Sequence, residues 1–400
     1  MRPVTTLGLL DILRPEWLPD PYPLLRLLRG RHDTFWDEGM RSWVVLDYEN
    51  VSRLSKDTRL SGDRISEFHQ RLPSGVERDL RELSDILSDM MLFNEPPRHT
   101  VLRKLIRPAL APRFIRDIRP MIENLANALL DRVADRDRFD VIADYSEPLT
   151  RGAIAELAGI PAESAYLLEN WQGLMHEFFT QSTRQMPRIH ALREVFDGGR
   201  AQRAAGTIPG RFSEVVGDQV RAESVSEDEV FANFLLLVDA GQATTTHLIA
   251  NSVLALLRHP DQLRLLRERP QLTANAAHEF LRYDASVLYT SRIALTDMEV
   301  AGHRIRQGQS VTLVLGSANR DERHYPDPDR LDVTRKAADH LSFGHGIHYC
   351  LGAALALTEA EIAISVLLSR FDDLALAEPE PEWLESINFR FLRRLPVLVR

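Results

Sequence analysis

One continuous helical pattern constrains the fold of this 400-residue chain more than any other feature. The pattern begins at Ser226-Glu227-Asp228-Glu229, where a hydroxyl residue followed by acids suits the positive end of a helix. It ends at about Arg258, just before His259-Pro260, because proline cannot continue a helix. Most globular helices have about 10–14 residues. A helix of more than thirty residues must therefore cross the whole molecule.

Shorter helices are predicted on both sides of this long helix, and strand signals are few. The predicted short helices cover 99–110, 119–133, 149–159, 163–180, 189–203 and 272–283. The strand signals lie at 42–46, at 299–315, and at 387–399, which we expect to form a hairpin. The expected fold class is mainly α with small β-sheets. Because no linker, repeat or low-complexity stretch divides the chain, we expect a single domain over residues 1–400.

Composition narrows the possible partners and locations. A net charge of −9 and a pI of about 5.8 argue against nucleic acid as a partner. The apolar run near the N-terminus is broken by Asp11 and Arg14, so it predicts neither a signal peptide nor a membrane anchor. The single cysteine excludes an internal disulfide and suits a reducing cytosol. We therefore expect a cytoplasmic protein.

The single cysteine, Cys350, follows a glycine-rich turn and precedes a predicted helix from 351 to about 371. A helix N-terminus carries partial positive charge and unpaired N–H groups, and both lower the pKa of a thiol. Gly344 and Gly346 permit backbone angles that point amides toward the sulfur. Such a sulfur can be a nucleophile or a metal ligand. The alternative is a buried structural cysteine, against which the spacing argues.

The segment around Cys350 resembles the haem-thiolate loop of the cytochrome P450 family, Phe-Gly-x-Gly-x-His/Arg-x-Cys-x-Gly. Its six fixed positions all match, at Phe343, Gly344, Gly346, His348, Cys350 and Gly352. The resemblance covers essentially residues 10–400 and implies the family fold, with the long central helix over haem b. It implies that Cys350 is the axial ligand of the iron, that Phe343 shields the sulfur, and that Gly352 lets the helix approach the porphyrin.

The middle of the long helix resembles the oxygen-activating segment of the same family, Ala/Gly-Gly-x-Asp/Glu-Thr. Ala240, Gly241 and Thr244 match this pattern. The resemblance implies that the small residues let haem and oxygen come close, and that the Thr244 hydroxyl donates a hydrogen bond in proton delivery. The alternative is a helix rich in small residues for tight packing.

The acid that usually precedes the threonine is missing, because Ala243 occupies its position. Asp239 lies four residues earlier and so shares a helix face with Ala243. We hypothesise that Asp239 lines the pocket, where it holds a polar or cationic substrate group or relays protons in place of the missing acid. The alternative is that Asp239 turns aside to pair with an arginine, because an unpaired buried carboxylate is costly.

Three further charged residues match a structural network of the family. Glu279 and Arg282 resemble its Glu-x-x-Arg pair, and residues three apart on a helix are neighbours. Arg330 matches the third member of the network. The resemblance implies that the three residues fix the loop behind the haem.

Four side chains match the residues that bind the haem propionates in the family. They are His99, Arg103, Arg292 and His348. His99 and Arg103 lie four residues apart on one predicted helix face. The four would supply charge-assisted hydrogen bonds to the two carboxylates.

A basic stretch stands out in this acidic protein. It consists of Arg98, Arg103, Lys104, Arg107, Arg113, Arg116 and Arg119. On charge alone, a solvated helix face explains it. The resemblance places it on the thiolate side of the haem, where an acidic ferredoxin would dock through electrostatic steering.

The resemblance alone assigns the substrate pocket and the reaction. The residues assigned to the pocket are Phe179, Leu236, Asp239, Val287, Leu288, Asn388 and Phe389. The implied activity is that of a soluble, bacterial-type haem-thiolate monooxygenase, by default a hydroxylase of an organic small molecule in secondary metabolism. Oxygen and electrons from a ferredoxin and its reductase would drive it.

Three alternatives to hydroxylation remain open. Because Ala243 replaces the usual acid, the enzyme could perform oxidative coupling, desaturation, decarboxylation or a peroxide-driven oxidation. A haem-based sensor is the second alternative, against which Gly241 and Thr244 speak. A cysteine hydrolase is the third, and it lacks a base, because His348 and the other histidines fit haem roles.

Overall fold

The computed structural model describes residues 7–66, 78–169, 174, 183–204 and 225–399. The chain divides into two compact units. The first unit comprises Met1–Ser61, Ala126–Ser146 and Thr244–Arg400, and the second comprises Gly62–Leu125 and Glu147–Ala243. The single domain over 1–400 stays a prediction.

Helices occur in both units. They are α1 (Tyr22–Arg29), α2 (Tyr48–Leu54), α3 (Arg78–Ser88), α4 (Arg98–Ile106), α5 (Pro112–Asp131), α6 (Glu147–Ala158), α7 (Met186–Ala204), α8 (Glu227–Arg258), α9 (Pro260–Glu268), α10 (Thr273–Tyr283), α11 (Leu315–Ala318) and α12 (Ala353–Arg370). The expected class, mainly α with small sheets, is confirmed. In the described part of the chain, no helix is both long and apolar enough to cross a membrane.

Among the residues that the structure describes, the strands are short and all belong to the first unit. They are β1 (Thr34–Asp37), β2 (Ser42–Val45), β3 (Leu60–Ser61), β4 (Arg138–Asp140), β5 (Thr290–Ala294), β6 (Met298–Val300), β7 (His303–Ile305), β8 (Ser310–Leu313), β9 (Leu374–Leu376) and β10 (Pro396–Val399). One sheet has the order β1-β2-β8-β5-β3, a second β4-β10-β9, and β6 pairs with β7. The expected hairpin over 387–399 is wrong, because this range contains one strand, β10, and β10 pairs with β4 and β9, which both lie outside the range.

The long central helix α8 has the bounds that its sequence predicts. The Glu229 N–H donates to Ser226 Oγ at 3.1 Å, and the Ser226 N–H donates to Glu229 Oε2 at 2.8 Å. This reciprocal pair satisfies two of the N–H groups that a helix start leaves open. Three acids occupy the first turn, and the helix ends after 32 residues at Arg258.

The five-stranded sheet is buried on both faces. Along β2 and just after it, Val45 packs into one apolar cluster, and its neighbours Val44 and Leu46 pack into the other. Likewise, Leu313 packs into the cluster of Val45, and Val314 packs into the cluster of Val44 and Leu46. Successive strand side chains point to opposite faces, so a sheet with apolar residues at consecutive positions needs a cover on each side.

Asn233 joins several segments of the second unit. Its side chain lies on α8 and is fully buried. It accepts the Met91 N–H at 2.8 Å and donates to the Asp89 carbonyl at 3.0 Å and to the Glu229 carbonyl at 2.8 Å. These bonds pair an otherwise costly buried amide and fix the turn before α4 to the central helix.

Candidate functional site

The cysteine loop of the first unit is closed by its own backbone. The Cys350 N–H donates to the Phe343 carbonyl at 2.8 Å, and the Gly344 N–H donates to the Leu341 carbonyl at 2.8 Å. Gly344 and Gly346 have positive φ angles of 67° and 73°. Residues with a Cβ rarely adopt these angles, which explains the glycines at both positions.

Gly346 has a second reason to be glycine. A Cβ there would lie 2.8 Å from the Ser55 carbonyl oxygen and 3.1 Å from Lys56 Cα. The segment that follows α2 therefore packs directly against the cysteine loop. The Ser52 hydroxyl supports the same contact, at 3.3 Å from His345 Nδ1.

The thiol of Cys350 is half-buried and lies just before α12. The helix begins at Ala353 rather than at 351, with Gly352 as its N-cap residue. A Cβ on Gly352 would meet nothing within 4 Å. A half-accessible thiol beside open space fits a haem group, whose iron takes a cysteine thiolate as its axial ligand.

Phe343 contacts two other rings, and its shielding of the sulfur stays a prediction. Its ring centroid is 5.2 Å from that of His340 and 6.2 Å from that of Tyr349. Burial, more than any charge, lowers the pKa of His340 to about 3. His340 Nδ1 accepts the Ser342 N–H at 3.2 Å, and its Nε2 lies 3.4 Å from His278 Nδ1. A neutral imidazole therefore supports Phe343.

The Glu-x-x-Arg pair forms the predicted buried ion pair. The Arg282 guanidinium donates to both carboxylate oxygens of Glu279, at 2.7 and 2.8 Å, and neither side chain is exposed. Arg282 also donates to the carbonyls of Asn319 at 3.1 Å and Pro328 at 2.8 Å. These bonds join α10 to the segment that leads into the cysteine loop.

The third member of this network is Arg335, and the assignment of Arg330 is corrected. Arg335 Nε donates to Glu279 Oε1 at 3.3 Å. Arg330 is an exposed residue that contributes its carbonyl, which accepts from Arg282 at 3.2 Å. The turn at 327–330 leaves the Arg330 side chain at the surface, so the chain reaches Glu279 five residues later.

Arg292 and His348, the predicted propionate ligands of the first unit, are partly enclosed. Arg292 lies on β5 and is buried, and its Nη1 donates to Thr290 Oγ1 at 2.8 Å and to the Ser291 carbonyl at 2.9 Å. His348 ends a short 3-10 helix, Gly346–His348, and is half-buried. Their contact with propionates stays a prediction.

His99 and Arg103, the predicted propionate ligands of the second unit, share a face of α4. His99 is buried, and burial, followed by the charge of Arg103, lowers its pKa. His99 is therefore a neutral N–H donor rather than a cation near neutral pH. The positive charge of this pair rests on Arg103 alone.

The middle of α8 carries an accessible stripe. Residues 230–238 and 245–254 are buried, whereas Asp239, Ala240, Gly241, Ala243 and Thr244 are partly or fully accessible. These five residues include all those of the helix that resemblance assigns to oxygen and proton chemistry. Between its accessible ends, α8 is open only at its midpoint, which suits a ligand site there.

Two residues of this stripe have structural contacts as well. The Leu174 N–H donates to Asp239 Oδ1 at 2.8 Å, which orients the carboxylate. A Cβ on Gly241 would overlap Ile154 Cδ1 on α6. The absence of a side chain at Gly241 therefore permits close packing of α8 against α6. Close packing was the sequence-based alternative to an approach of haem and oxygen. Its approach to haem stays a prediction.

The predicted substrate residues of the first unit separate into two faces. Val287 pairs with Phe389 in an antiparallel bridge, flanked by bonds from the Leu288 N–H to the Asn388 carbonyl at 2.7 Å and from the Arg390 N–H to the Ser286 carbonyl at 3.0 Å. Side chains alternate along extended chains, so Val287 and Phe389 share one face.

Leu288 lies on the opposite face from Val287, which corrects its assignment. It is fully buried in the apolar cluster around Leu9 and Tyr22. Asn388 lies in the bend before Phe389 and is half-buried, and its contact with substrate stays a prediction. Two neighbouring residues of an extended segment cannot both line one pocket.

An aromatic row beside this bridge consists of Phe389, Phe391 and the buried His247, and of these the resemblance had assigned only Phe389 to the pocket. The ring centroids of Phe389 and Phe391 are 4.7 Å apart, and those of Phe391 and His247 are 4.1 Å apart. Burial lowers the pKa of His247 to about 3. The alternation of Phe389 and Phe391 was a usable signal, whereas the approach of His247 was not.

Two substrate assignments concern the second unit. Leu236 is 6% exposed and lies in the buried part of α8, one turn before the accessible stripe. Its contact with substrate stays a prediction. Phe179 lies outside the described residues.

Comparison with known proteins gives a consistent result. A family model described as Cytochrome P450 matches residues 211–388. The biotin biosynthesis cytochrome P450 of Bacillus subtilis (strain 168) is 36% identical over 390 residues, which cover 96% of this chain and 97% of that protein. The cytochrome P450 monooxygenase PikC of Streptomyces venezuelae is 33% identical over 408 residues, which cover 99% of this chain and 94% of that protein.

Solved structures show the same fold. P450BioI, in complex with an acyl carrier protein ligated to hexadec-9Z-enoic acid, matches with a TM-score of 0.87 and 36% identity, over 96% of this chain and 100% of that chain. CalO2 matches with a TM-score of 0.90 and 29% identity, over 99% of each chain. The identity with the Bacillus relative over nearly the whole of both chains shows that this protein belongs to the cytochrome P450 family of haem b monooxygenases.

Proposed function

We propose that this monooxygenase hydroxylates an organic small molecule of secondary metabolism, with electrons from a cytosolic ferredoxin and its reductase. The accessible stripe on α8 carries the proposal, because it leaves Thr244 and Asp239 open in the middle of an otherwise buried helix. The relatives named for biotin and polyketide biosynthesis support a biosynthetic role.

Cys350 would hold the haem iron, and the propionates would take Arg103, Arg292 and the N–H groups of His99 and His348. Bound there, haem supplies the activation of dioxygen. The Cys350 N–H donates to the Phe343 carbonyl at 2.8 Å, which holds the backbone that would present the sulfur. The Glu279–Arg282 pair holds the preceding segment against α10.

Thr244 would position the proton that the reaction consumes. Its hydroxyl is a donor and an acceptor, and it lies on the accessible stripe. Asp239 has its Oδ1 oriented by the Leu174 N–H at 2.8 Å, which fixes the carboxylate on the helix. We propose that Asp239 relays protons to Thr244 or binds a polar substrate group, because Ala243 offers no acid.

A matched pair of variants tests the role of Thr244. Thr245 is the next residue of α8 and is 4% exposed. We expect Thr244→Ala to consume NADPH with little product, and Thr245→Ala to keep the wild-type ratio of product to NADPH. Equal ratios in the two variants would contradict a proton role for Thr244.

Product mass separates hydroxylation from the alternatives. A gain of one oxygen supports the proposal, whereas a loss of two hydrogens supports coupling or desaturation.

The variant Ala243→Glu adds the acid that the family pattern contains. If proton delivery limits the reaction, this variant raises the yield of product per NADPH; an unchanged yield would show that the missing acid does not limit it.

A further inference from the structure

We propose that Arg390 is a positioning residue, which holds the aromatic row in place from behind and so controls how ligands fit against it. This inference rests on the proposed function, because it takes the accessible side of Phe389 and Phe391 as a wall of the substrate pocket. Arg390 itself does not touch substrate in this proposal.

The Arg390 guanidinium is buried, and each of its three nitrogens donates a hydrogen bond. Nε donates to Asp284 Oδ1 at 3.2 Å, Nη1 to the Leu18 carbonyl at 2.8 Å, and Nη2 to the Pro19 carbonyl at 3.0 Å. The guanidinium carbon lies 3.5 Å from the ring centroid of Trp383. A planar fork of donors is required for this set of partners, and the ammonium of a lysine could satisfy only part of it.

The backbone of Arg390 is held at both of its polar groups. Its N–H donates to the Ser286 carbonyl at 3.0 Å, and its carbonyl accepts from Asn251 Nδ2 at 3.0 Å. Asn251 lies on α8, one turn beyond His247. Arg390 therefore joins the N-terminal segment, the end of α10, the central helix and the C-terminal segment.

This anchor sets the direction of the neighbouring rings. Arg390 lies between Phe389 and Phe391, and side chains alternate along an extended segment. With Arg390 directed into the core, both phenylalanines must face the accessible side. Burial follows this alternation, because Arg390 and Leu392 are buried and the two phenylalanines are partly exposed.

Asp284 completes the anchor. Its Oδ1 also accepts the Tyr22 hydroxyl at 2.8 Å. The Arg320 guanidinium lies 3.7 Å from the ring centroid of Tyr22 and 4.0 Å from that of Tyr283. Loss of Arg390 would leave a carboxylate in this enclosed cluster without its main cation, so we expect the C-terminal segment to shift.

Two azoles that bind haem iron measure this shift. Imidazole reaches the iron without needing a pocket wall, whereas phenylimidazole must also fit its ring beside one. We compare the dissociation constants of both, from the Soret shift of the haem-loaded protein, in wild type, Arg390→Lys and Asp284→Asn. Arg394→Gln is the control, because Arg394 lies in the same segment but pairs at the surface with Glu378 and Glu382.

We expect unchanged imidazole binding in all four proteins. Phenylimidazole should bind about tenfold more weakly to Arg390→Lys and Asp284→Asn, because a displaced wall loses van der Waals contacts with the phenyl ring, and a loss of about 1.4 kcal/mol is tenfold in a dissociation constant. An unchanged ratio of the two constants in both variants, or an equal change in Arg394→Gln, would overturn the role of Arg390. If wild type bound imidazole but showed no preference between the azoles, the pocket wall itself would be refuted, and with it this inference.

Discussion

Glu279 and Arg282 form an ion pair that is completely withdrawn from solvent, with two hydrogen bonds of 2.7 and 2.8 Å between them. A buried ion pair contributes little net stability over an apolar pair of the same shape, but the loss of one partner strands the other charge. Glu279 also accepts the Asp332 N–H at 3.0 Å, so the same carboxylate holds the chain that leads into the cysteine loop.

We therefore expect Glu279→Ala to lower the free energy of unfolding by about 3–5 kcal/mol and to release haem. Urea unfolding and the Soret absorbance per polypeptide measure the two effects. Glu279→Gln should lose less, because its amide oxygen can still accept from Arg282. Full haem content in Glu279→Ala would contradict this role.

Arg335 and Arg330 offer a sharper comparison within the same network. Arg335 donates to Glu279 at 3.3 Å and to the Pro326 carbonyl at 2.8 Å, whereas the Arg330 side chain is exposed. We expect Arg335→Ala to cost about 1.5–3 kcal/mol of stability, because hydrogen bonds to charged groups are lost. Arg330→Ala should stay within about 0.5 kcal/mol of wild type. The reverse order in urea unfolding would restore the sequence-based assignment.

The correction of the third network residue from Arg330 to Arg335 shows what a sequence pattern does not determine. The pattern locates a basic residue after α10, but two arginines lie five residues apart, and only the path of the turn decides which one reaches Glu279. The assignment of Leu288 to the substrate pocket is wrong for a related reason. The resemblance identifies the segment around Val287 but does not determine which of its alternating side chains face the pocket. By contrast, the start of α8 follows from local chemistry at Ser226 and Glu229, and the sequence predicts it correctly.

Long-range contacts of single side chains were beyond prediction. The ring centroids of His247 and Phe391 are 4.1 Å apart. Arg390 Nη1 donates to the Leu18 carbonyl at 2.8 Å, although the two residues are 372 positions apart in the chain. No local periodicity encodes such pairs. The cysteine loop was predictable because its chemistry depends on residues within ten positions of one another.

Two buried histidines predict sensitivity to acid. Burial lowers the pKa values of His247 and His340 to about 3. In the unfolded chain an ordinary histidine has a pKa of about 6.5. Between these values the unfolded state binds protons that the folded state does not, so stability is complete above about pH 6.5 and falls as the pH drops toward 3.

His247→Phe should reduce this acid dependence. The phenyl ring can keep the stack on Phe391 and cannot be protonated. We expect the slope of unfolding free energy against pH between 5 and 6 to decrease by up to about 1.4 kcal/mol per pH unit. His32→Gln, at an exposed position, is the control and should leave the slope unchanged. Urea unfolding at several pH values measures it; equal slopes in wild type and His247→Phe would count against a neutral buried imidazole.

Part of the basic stretch is already committed to internal pairs. Arg98 pairs with Glu229, and Arg119 pairs with Glu123 at 2.9 Å. Lys104, Arg107, Arg113 and Arg116 are exposed. If an acidic ferredoxin docks here, these exposed cations supply the attraction.

Reduction by a [2Fe-2S] ferredoxin should then slow with salt, because the screening length falls from about 30 Å at 0.01 M to about 3 Å at 1 M. We expect the double variant Arg107→Glu/Arg116→Glu to be reduced about tenfold more slowly at low salt. Arg394→Glu, elsewhere on the surface, should behave as wild type. Stopped-flow reduction under carbon monoxide measures these rates, and equal rates in the two variants would exclude this surface.

Glu359 is a carboxylic acid in the interior of helix α12. It is fully buried, and within the described part of the chain neither of its oxygens has a hydrogen-bond partner. Burial raises its pKa well above 4.5. The group is therefore protonated in the folded protein under conditions where it is ionised in the unfolded chain. The unfolded state then holds fewer protons, and stability falls as the pH rises from about 4.3 toward the raised pKa, by up to about 1.4 kcal/mol per pH unit.

Glu359→Gln has nearly the same shape and no such proton, so it should be more stable than wild type at pH 7 and converge with it below about pH 4. Glu385→Gln, at an exposed position, should follow wild type throughout. Urea unfolding between pH 4 and 8 decides the matter, and a Glu359→Gln protein less stable than wild type at pH 7 would mean that the carboxyl is charged and paired.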